Sequence, residues 1–183
     1  MRTITLYIAM SLDGFIADKD GNVDWLSGQE PERDDMVSYT EFIKKIDTVV
    51  MGWKTYHQLV TELSPDEWAY QGMMTYVLTH REMPDEEEIR FIGGDVCDLV
   101  QKLQREDGKG IWICGGASIA WQLVEADLID RYHISVIPMI LGDGIPLFGR
   151  MDRGIRLKCV GTRTYNGITD LVYERREECW DEV

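Results

Sequence analysis

Twice in this 183-residue chain a short apolar run ends on glycine and passes straight into a helical pattern. The first is Val49-Val50-Met51-Gly52-Trp53-Lys54-Thr55, the second Trp112-Ile113-Cys114-Gly115-Gly116-Ala117-Ser118. An unbroken apolar run of strand length reads as a strand buried on both faces, which needs helices on both sides of a parallel sheet. The turn has chemical content as well. It presents the free N–H groups of a helix start at the carboxyl end of a strand, where the helix dipole favours negative charge and where open α/β sheets bind their ligands. Glycine lets an anion approach the backbone without a Cβ in the way. One such turn is more often structural than functional. Two in one small domain point to two anionic groups of a single ligand. The spacing is not G-x-G-x-x-G, so the Rossmann fingerprint is absent.

Around these turns the chain alternates strands with helices. Residues 3–9 read as a strand by alternation and β-branching. A long loop follows Ser11-Leu12-Asp13-Gly14, and a helix is expected from about Asp34, with Met36, Tyr39, Phe42, Ile43 and Ile46 at helical spacing. A short helix is expected from Lys54 to about Val60, a strand at 74–79, a short strand at 89–92, and a helix begun by Asp95 with Val96, Leu99, Val100 and Leu103 inward. A further helix runs from Ser118 through Leu123, and Arg131 to Pro138 alternates like a strand. Residues 142–146 read as a turn-rich loop. Strands at about 155–163 and 168–176 meet at Asn166-Gly167, a strong hairpin signal. The class is therefore α/β: one domain over 1–183 with a central, mostly parallel sheet and a C-terminal antiparallel hairpin. The charged residues 177–183 read as a tail that frays.

Charge narrows the partners. With 19 basic against 33 acidic residues the net charge is -14, which repels a nucleic-acid backbone, and no dense basic run offsets it. No apolar run approaches membrane-spanning length and no leader pattern opens the chain, so a cytoplasmic location is expected. The four cysteines and three histidines show no metal-ligand spacing, and no metal is expected. Against this acidic background, Thr79-His80-Arg81 ends a strand with a hydroxyl, an imidazole and a guanidinium, and Lys54 could join them. Such a cluster suits a phosphate monoester, as in the 2′-phosphate of NADPH. A solvated loop is the competing reading.

These segments carry a family resemblance. Ala9-Met10-Ser11-Leu12-Asp13-Gly14-Phe15-Ile16-Ala17 resembles the first strand and loop of the reductase domain of riboflavin biosynthesis (the RibD C-terminal domain). Met51-Gly52-Trp53-Lys54-Thr55 is similar to the Met-Gly-Arg-x-Thr segment of dihydrofolate reductase, and Ile113-Cys114-Gly115-Gly116 to its Gly-Gly turn. Leu141 to Phe148 resembles a late loop of the riboflavin-type reductases. The resemblance implies the dihydrofolate-reductase-like three-layer fold and NADPH as hydride donor. Carried over by position, Ala9 and Ile16 would flank the nicotinamide. Gly52, Trp53, Lys54 and Thr55 would hold phosphates on the adenosine side, and Thr79, His80 and Arg81 would surround the 2′-phosphate. Gly115, Gly116, Ala117, Ser118 and Ile119 would cradle the pyrophosphate, and Cys114 belongs to the same cofactor-holding turn.

The substrate side departs from the pattern. Trp53 replaces the arginine after Met-Gly. Tyr7 stands where riboflavin-type reductases carry a lysine, and Tyr56-His57-Gln58-Leu59 replaces their Asp-Asp-Pro segment. A phosphoribosyl substrate loses anchors in both places. Asp35 is the candidate proton donor, with Asp34 almost as good and a plain helix-start carboxylate as the bland alternative. Asp13, Trp25, Tyr39 and Phe42 are candidate substrate contacts, with loop bracing for Asp13 and core packing for the aromatics as rivals. The expected activity is NADPH-dependent reduction of a small heterocyclic or carbonyl substrate. The alternatives are a non-catalytic nucleotide-binding module on the same fold and, more weakly, an acidic interaction protein. A homodimer through the C-terminal strands is expected.

Overall fold

The computed structural model describes residues 1–30, 33 and 36–176. Ten strands and four helices follow in the order β1 (Ile4–Ser11), β2 (Phe15–Ala17), α1 (Val37–Ile43), β3 (Ile46–Gly52), α2 (Trp53–Gln58), β4 (Met74–Leu78), β5 (Ile89–Ile92), α3 (Val96–Arg105), β6 (Gly110–Gly115), α4 (Ala117–Glu125), β7 (Arg131–Ile137), β8 (Ile145–Pro146), β9 (Leu157–Tyr165) and β10 (Ile168–Arg175). Eight strands form one sheet in the order β5-β4-β3-β6-β1-β7-β10-β9. The strands from β5 to β7 run parallel, while β10 and β9 return antiparallel. Asn166 and Gly167 turn that hairpin with φ of 44° and 77°, the pair of positive values that an Asn-Gly hairpin turn requires. The tail at 177–183 lies outside the described residues.

Both sheet faces are covered, as the unbroken apolar runs demand. On one face Ile4, Leu6, Val50, Ile111 and Ile113 pack against Val96, Val100 and Leu103 of α3 and Ile119, Ala120, Leu123 and Val124 of α4. On the other, Val49, Met51, Val77 and Trp112 pack with Tyr56, Leu59 and Tyr70, and α1 adds Tyr39 and Phe42. Full burial is worth about 1.5–3 kcal/mol for each large side chain. The helix starts differ. Asp95 caps α3, its carboxylate accepting from the N–H of Cys97 at 2.6 Å and of Asp98 at 3.4 Å. Gly52 and Gly116 stand at the starts of α2 and α4, with no side-chain cap among the described residues.

Four local expectations are corrected. Ile46 begins β3 instead of continuing the helix, because α1 stops at Ile43 and Ile46 is buried in the sheet. The helix after Gly52 starts at Trp53 and ends at Gln58, passing into a π-helical turn, Leu59–Leu63, that turns Leu59 inward. The long loop after Gly14 contains β2, and the turn-rich segment contains β8. These two pair antiparallel, with Phe15 opposite Pro146 and Ala17 opposite Ile145, and form a small strap outside the main sheet. Farther along the same loop, Asn166 ties Glu30 and Arg33 to the hairpin. Its side chain accepts from the Glu30 N–H at 2.8 Å and donates to the carbonyls of Glu30 and Arg33 at 2.8 and 2.9 Å.

Candidate functional site

A cleft of about 870 Å³ opens where β1, β3, β4 and β6 end and α2 and α4 begin. Ala9, Ile16, Gly52, Trp53, Lys54, Thr55, Thr79, His80, Cys114, Gly115, Gly116, Ala117, Ser118 and Ile119 all line it. They come from five separate segments of the chain. Ile16 and Ile145 bring the strap to its wall. Among the described lining residues there is no aspartate or glutamate, and Lys54 and His80 are the basic side chains. In a chain of net charge -14 such a wall suits an anionic ligand.

The two glycine turns face each other. A Cβ on Gly52 would sit 3.3 Å from the Ile119 side chain and 3.8 Å from the Gly116 nitrogen; one on Gly116 would sit 3.3 Å from Thr55 Oγ1. Gly115 has φ +136°, a conformation that L side chains rarely adopt. The peptide joining Gly115 to Gly116 is cis. The Gly116 carbonyl already accepts from the N–H groups of Ile119 and Ala120 at 3.0 and 3.1 Å. The first N–H groups of α4 therefore remain for a ligand, beside the Thr55 hydroxyl. This cradle, filled by any Cβ, fits a pyrophosphate.

Arg81 lies outside the main cleft. It lines a shallow recess continuous with it through Thr79 and His80. Its guanidinium lies over the Trp53 ring, 4.9 Å from the centroid, a cation–π arrangement. The Thr79 hydroxyl accepts from the Arg81 N–H at 3.1 Å and shapes that turn. Trp53, where the resemblance expects arginine, thus supplies a platform for an arginine from another strand end.

The four expected substrate contacts fall elsewhere: none of Asp13, Trp25, Tyr39 and Phe42 is among the residues lining the cleft. Asp13 braces the strap. Its carboxylate accepts from the Ser11 hydroxyl at 2.6 Å and from the N–H groups of Gly142 and Leu141 at 2.7 and 3.1 Å. These bonds, that of Ser11 foremost, hold it below the ordinary carboxylate range. Trp25 donates to the Asn22 carbonyl at 3.2 Å. Phe42 packs edge-on against Tyr7 and Trp112, and Tyr39 packs edge-on against Trp112. Asp35 and Asp34 lie outside the described residues.

Three aromatics that the sequence reading did not single out as contacts line the cleft instead: Tyr7 of β1, Trp112 of β6 and Tyr70. The Trp112 Nε1–H donates to the Tyr7 carbonyl at 2.9 Å, and Tyr70 packs edge-on against Trp112 with ring centroids 4.9 Å apart. The Tyr70 hydroxyl stands 3.4 Å from the Cys114 sulfur. Burial pushes the Cys114 thiol up to about 11, so it is protonated at neutral pH. Behind Tyr7 sits a polar set that was also missed. The Tyr7 ring stacks on His133 at 4.1 Å, and His133 Nε2 stands 3.5 Å from Asp170 Oδ2. Asp170 Oδ1 accepts from Ser135 at 2.6 Å and from the Tyr165 hydroxyl at 3.3 Å. Burial pushes the Asp170 carboxyl upward, but hydrogen bonds from His133, Ser135 and Ser38 outweigh it and leave it below the ordinary range. One signal was available: His133 and Ser135 are polar at i and i+2 of a strand, so they share a face.

Residues 2–170 match the RibD C-terminal domain. The chain belongs to this family of reductase domains. It is 39% identical over 177 residues to the uncharacterized protein YwjB of Bacillus subtilis (strain 168), covering 95% of this chain and 98% of that one. A Shewanella sp. PV-4 crystal structure described as a riboflavin biosynthesis protein superposes with a TM-score of 0.81 at 30% identity, over 97% of this chain and 100% of the other. Dihydrofolate reductase from Enterococcus faecalis, complexed with NADP(H), superposes with a TM-score of 0.66 at 19% identity, over 96% and 97% of the two chains. That likeness shows the dihydrofolate-reductase-like fold. Among the described residues no helix is long and apolar enough to cross a membrane.

Proposed function

We propose that this RibD C-terminal domain protein is an NADPH-dependent reductase acting on a small heterocyclic or carbonyl substrate. One observation carries the reading: fourteen of the fifteen residues expected to hold the cofactor, all but Arg81, line a single cleft. Gly115, Gly116, Ala117, Ser118 and Ile119 would hold the pyrophosphate on the α4 start. Lys54, Thr79, His80 and Arg81 would take the 2′-phosphate, with Gly52, Trp53 and Thr55 on the adenosine side. Ala9, Ile16 and Cys114 would border the nicotinamide. When bound, NADPH supplies a hydride from its nicotinamide C4. The protein's share is to orient the two ligands, exclude water and deliver a proton, for which Asp35 or a water it holds is the candidate.

The direct test is titration of NADPH with tryptophan fluorescence as readout, since Trp53 and Trp112 both line the cleft. Saturable binding is expected; none at millimolar cofactor would overturn the reading. Cofactor binding without oxidation across a panel of folates, pterins, pyrimidines and small carbonyl compounds would favour a binding module instead. The proposal includes a cytoplasmic location, no nucleic-acid partner and a homodimer. The dimer is supported by the free edge of β9, where Leu157 and Val160 are 37% and 43% exposed. Light scattering on the eluted protein checks it; a monomer mass would end it.

A further inference from the structure

Every lysine and arginine of the chain falls among the described residues, so the placement of positive charge around the cleft can be stated in full. Of these nineteen side chains, Lys54 alone lines the cleft, joined by the imidazole of His80. Lys54 lies in the first turn of α2, after β3, and His80 lies just past the end of β4. The other wall is built from Tyr7 of β1, Trp112 of β6 and Tyr70 from the segment before β4, with the protonated Cys114 thiol beside them. Arg163 lies on the edge strand β9, with β7 and β10 between it and β1. It donates to the Ser38 hydroxyl at 3.1 Å, lies 5.3 Å from the Tyr165 ring centroid, and does not line the cleft.

A carboxylate lies behind the aromatic wall, with Arg163 opposite it in the β10–β9 register. Asp170 is 1% exposed. It sits on the sheet face behind Tyr7, through the stacked His133 and the Ser135 hydroxyl. A phosphate or carboxylate brought to this wall would shed its water, meet no cation and face a buried carboxylate. A flat uncharged ring would meet aromatic surface along this wall and lose little hydration.

We infer that the compound bound at the Tyr7–Tyr70–Trp112 end of the cleft is a flat, uncharged heteroaromatic without phosphate or carboxylate. As an identification of the hydride acceptor, this rests on the reductase reading above; as a statement of ligand preference, it can be tested apart from it. Two matched pairs serve as probes: riboflavin with riboflavin 5′-phosphate, and uridine with uridine 5′-monophosphate. Binding is measured by calorimetry on the NADP⁺-saturated protein. At least one neutral member is expected to bind, tenfold or more tighter than its phosphate. Equal or tighter binding of the phosphate in either pair overturns the inference, and so does failure of both neutral members at millimolar concentration. Tyr7→Lys, checked for folding by circular dichroism, is expected to narrow the ratio threefold or more; if it does not fold, the wild-type pairs decide. A prior NADP⁺ titration keeps the two readings apart. If NADP⁺ fails to bind, the reductase reading falls, and the same pairs on the cofactor-free protein still decide the charge preference of the aromatic end.

Discussion

Helices α3 and α4 pack side by side against one face of the sheet, yet they begin in opposite ways. The start of α3 is closed by the protein itself: the Asp95 carboxylate accepts from two of its N–H groups, and Asp98 adds a second negative charge in the first turn. The start of α4 has Gly116 in the capping position and no acid in its first turn. Each helix start offers unpaired donors and a positive dipole end. Where the chain supplies the anion, the helix start is a structural joint. Where it supplies glycine beside a cleft, the helix start is left for a ligand's charge.

The comparison can be broken at either end. Giving α4 the cap of α3, by Gly116→Asp, should have the largest effect. At φ -79° the backbone tolerates a side chain, so the change acts through charge and the 3.3 Å approach to Thr55. NADPH binding should weaken by roughly 100-fold, about 2.7 kcal/mol, in a fluorescence titration. Gly116→Ala should lose less, because it adds the Cβ without the charge. Next comes Arg81→Ala, which removes a cation from the recess without touching the α4 start. NADPH affinity should fall about tenfold, ~1.4 kcal/mol, with NADH little changed; equal losses would remove Arg81 from the phosphate role. Asp95→Ala opens α3 and should cost about 1 kcal/mol of stability in urea unfolding. Asp95→Gly should cost least, roughly 0.3 kcal/mol.

How far the chain could be read in advance follows the range of the interactions concerned. The strands of the parallel sheet were legible because Val49-Val50-Met51 and Ile111-Trp112-Ile113 are apolar on both faces, a demand that each segment states alone. Asp95 and Asn166-Gly167 were legible for the same reason: their capping and turning partners lie within a few residues. The strap was not, because Phe15 and Ala17 become a strand only by pairing with Pro146 and Ile145, well over a hundred residues later. The π-helical turn at Leu59–Leu63 was hidden too, since it registers Leu59 against a core contributed by distant strands. On the site, the glycine turns and the Thr79-His80-Arg81 end carry their chemistry locally and line or adjoin the cleft. The aromatic wall does not: Tyr7, Tyr70 and Trp112 come from three segments, and nothing local distinguishes a cleft-lining aromatic from Phe42, which packs beside Trp112 without lining the cleft.

The tie made by Asn166 has a consequence for how the molecule ages. An asparagine followed by glycine is the peptide sequence most open to spontaneous deamidation, because the small neighbour lets its backbone nitrogen attack the side-chain amide. Here that amide nitrogen is the donor to the carbonyls of Glu30 and Arg33. Deamidation would leave an oxygen facing those two oxygens, turning attraction into repulsion at both contacts. Glu30 and Arg33 would then lose their ties to the hairpin. The residue pair that makes the turn so easy to form is also the bond by which a stored sample would acquire a second population.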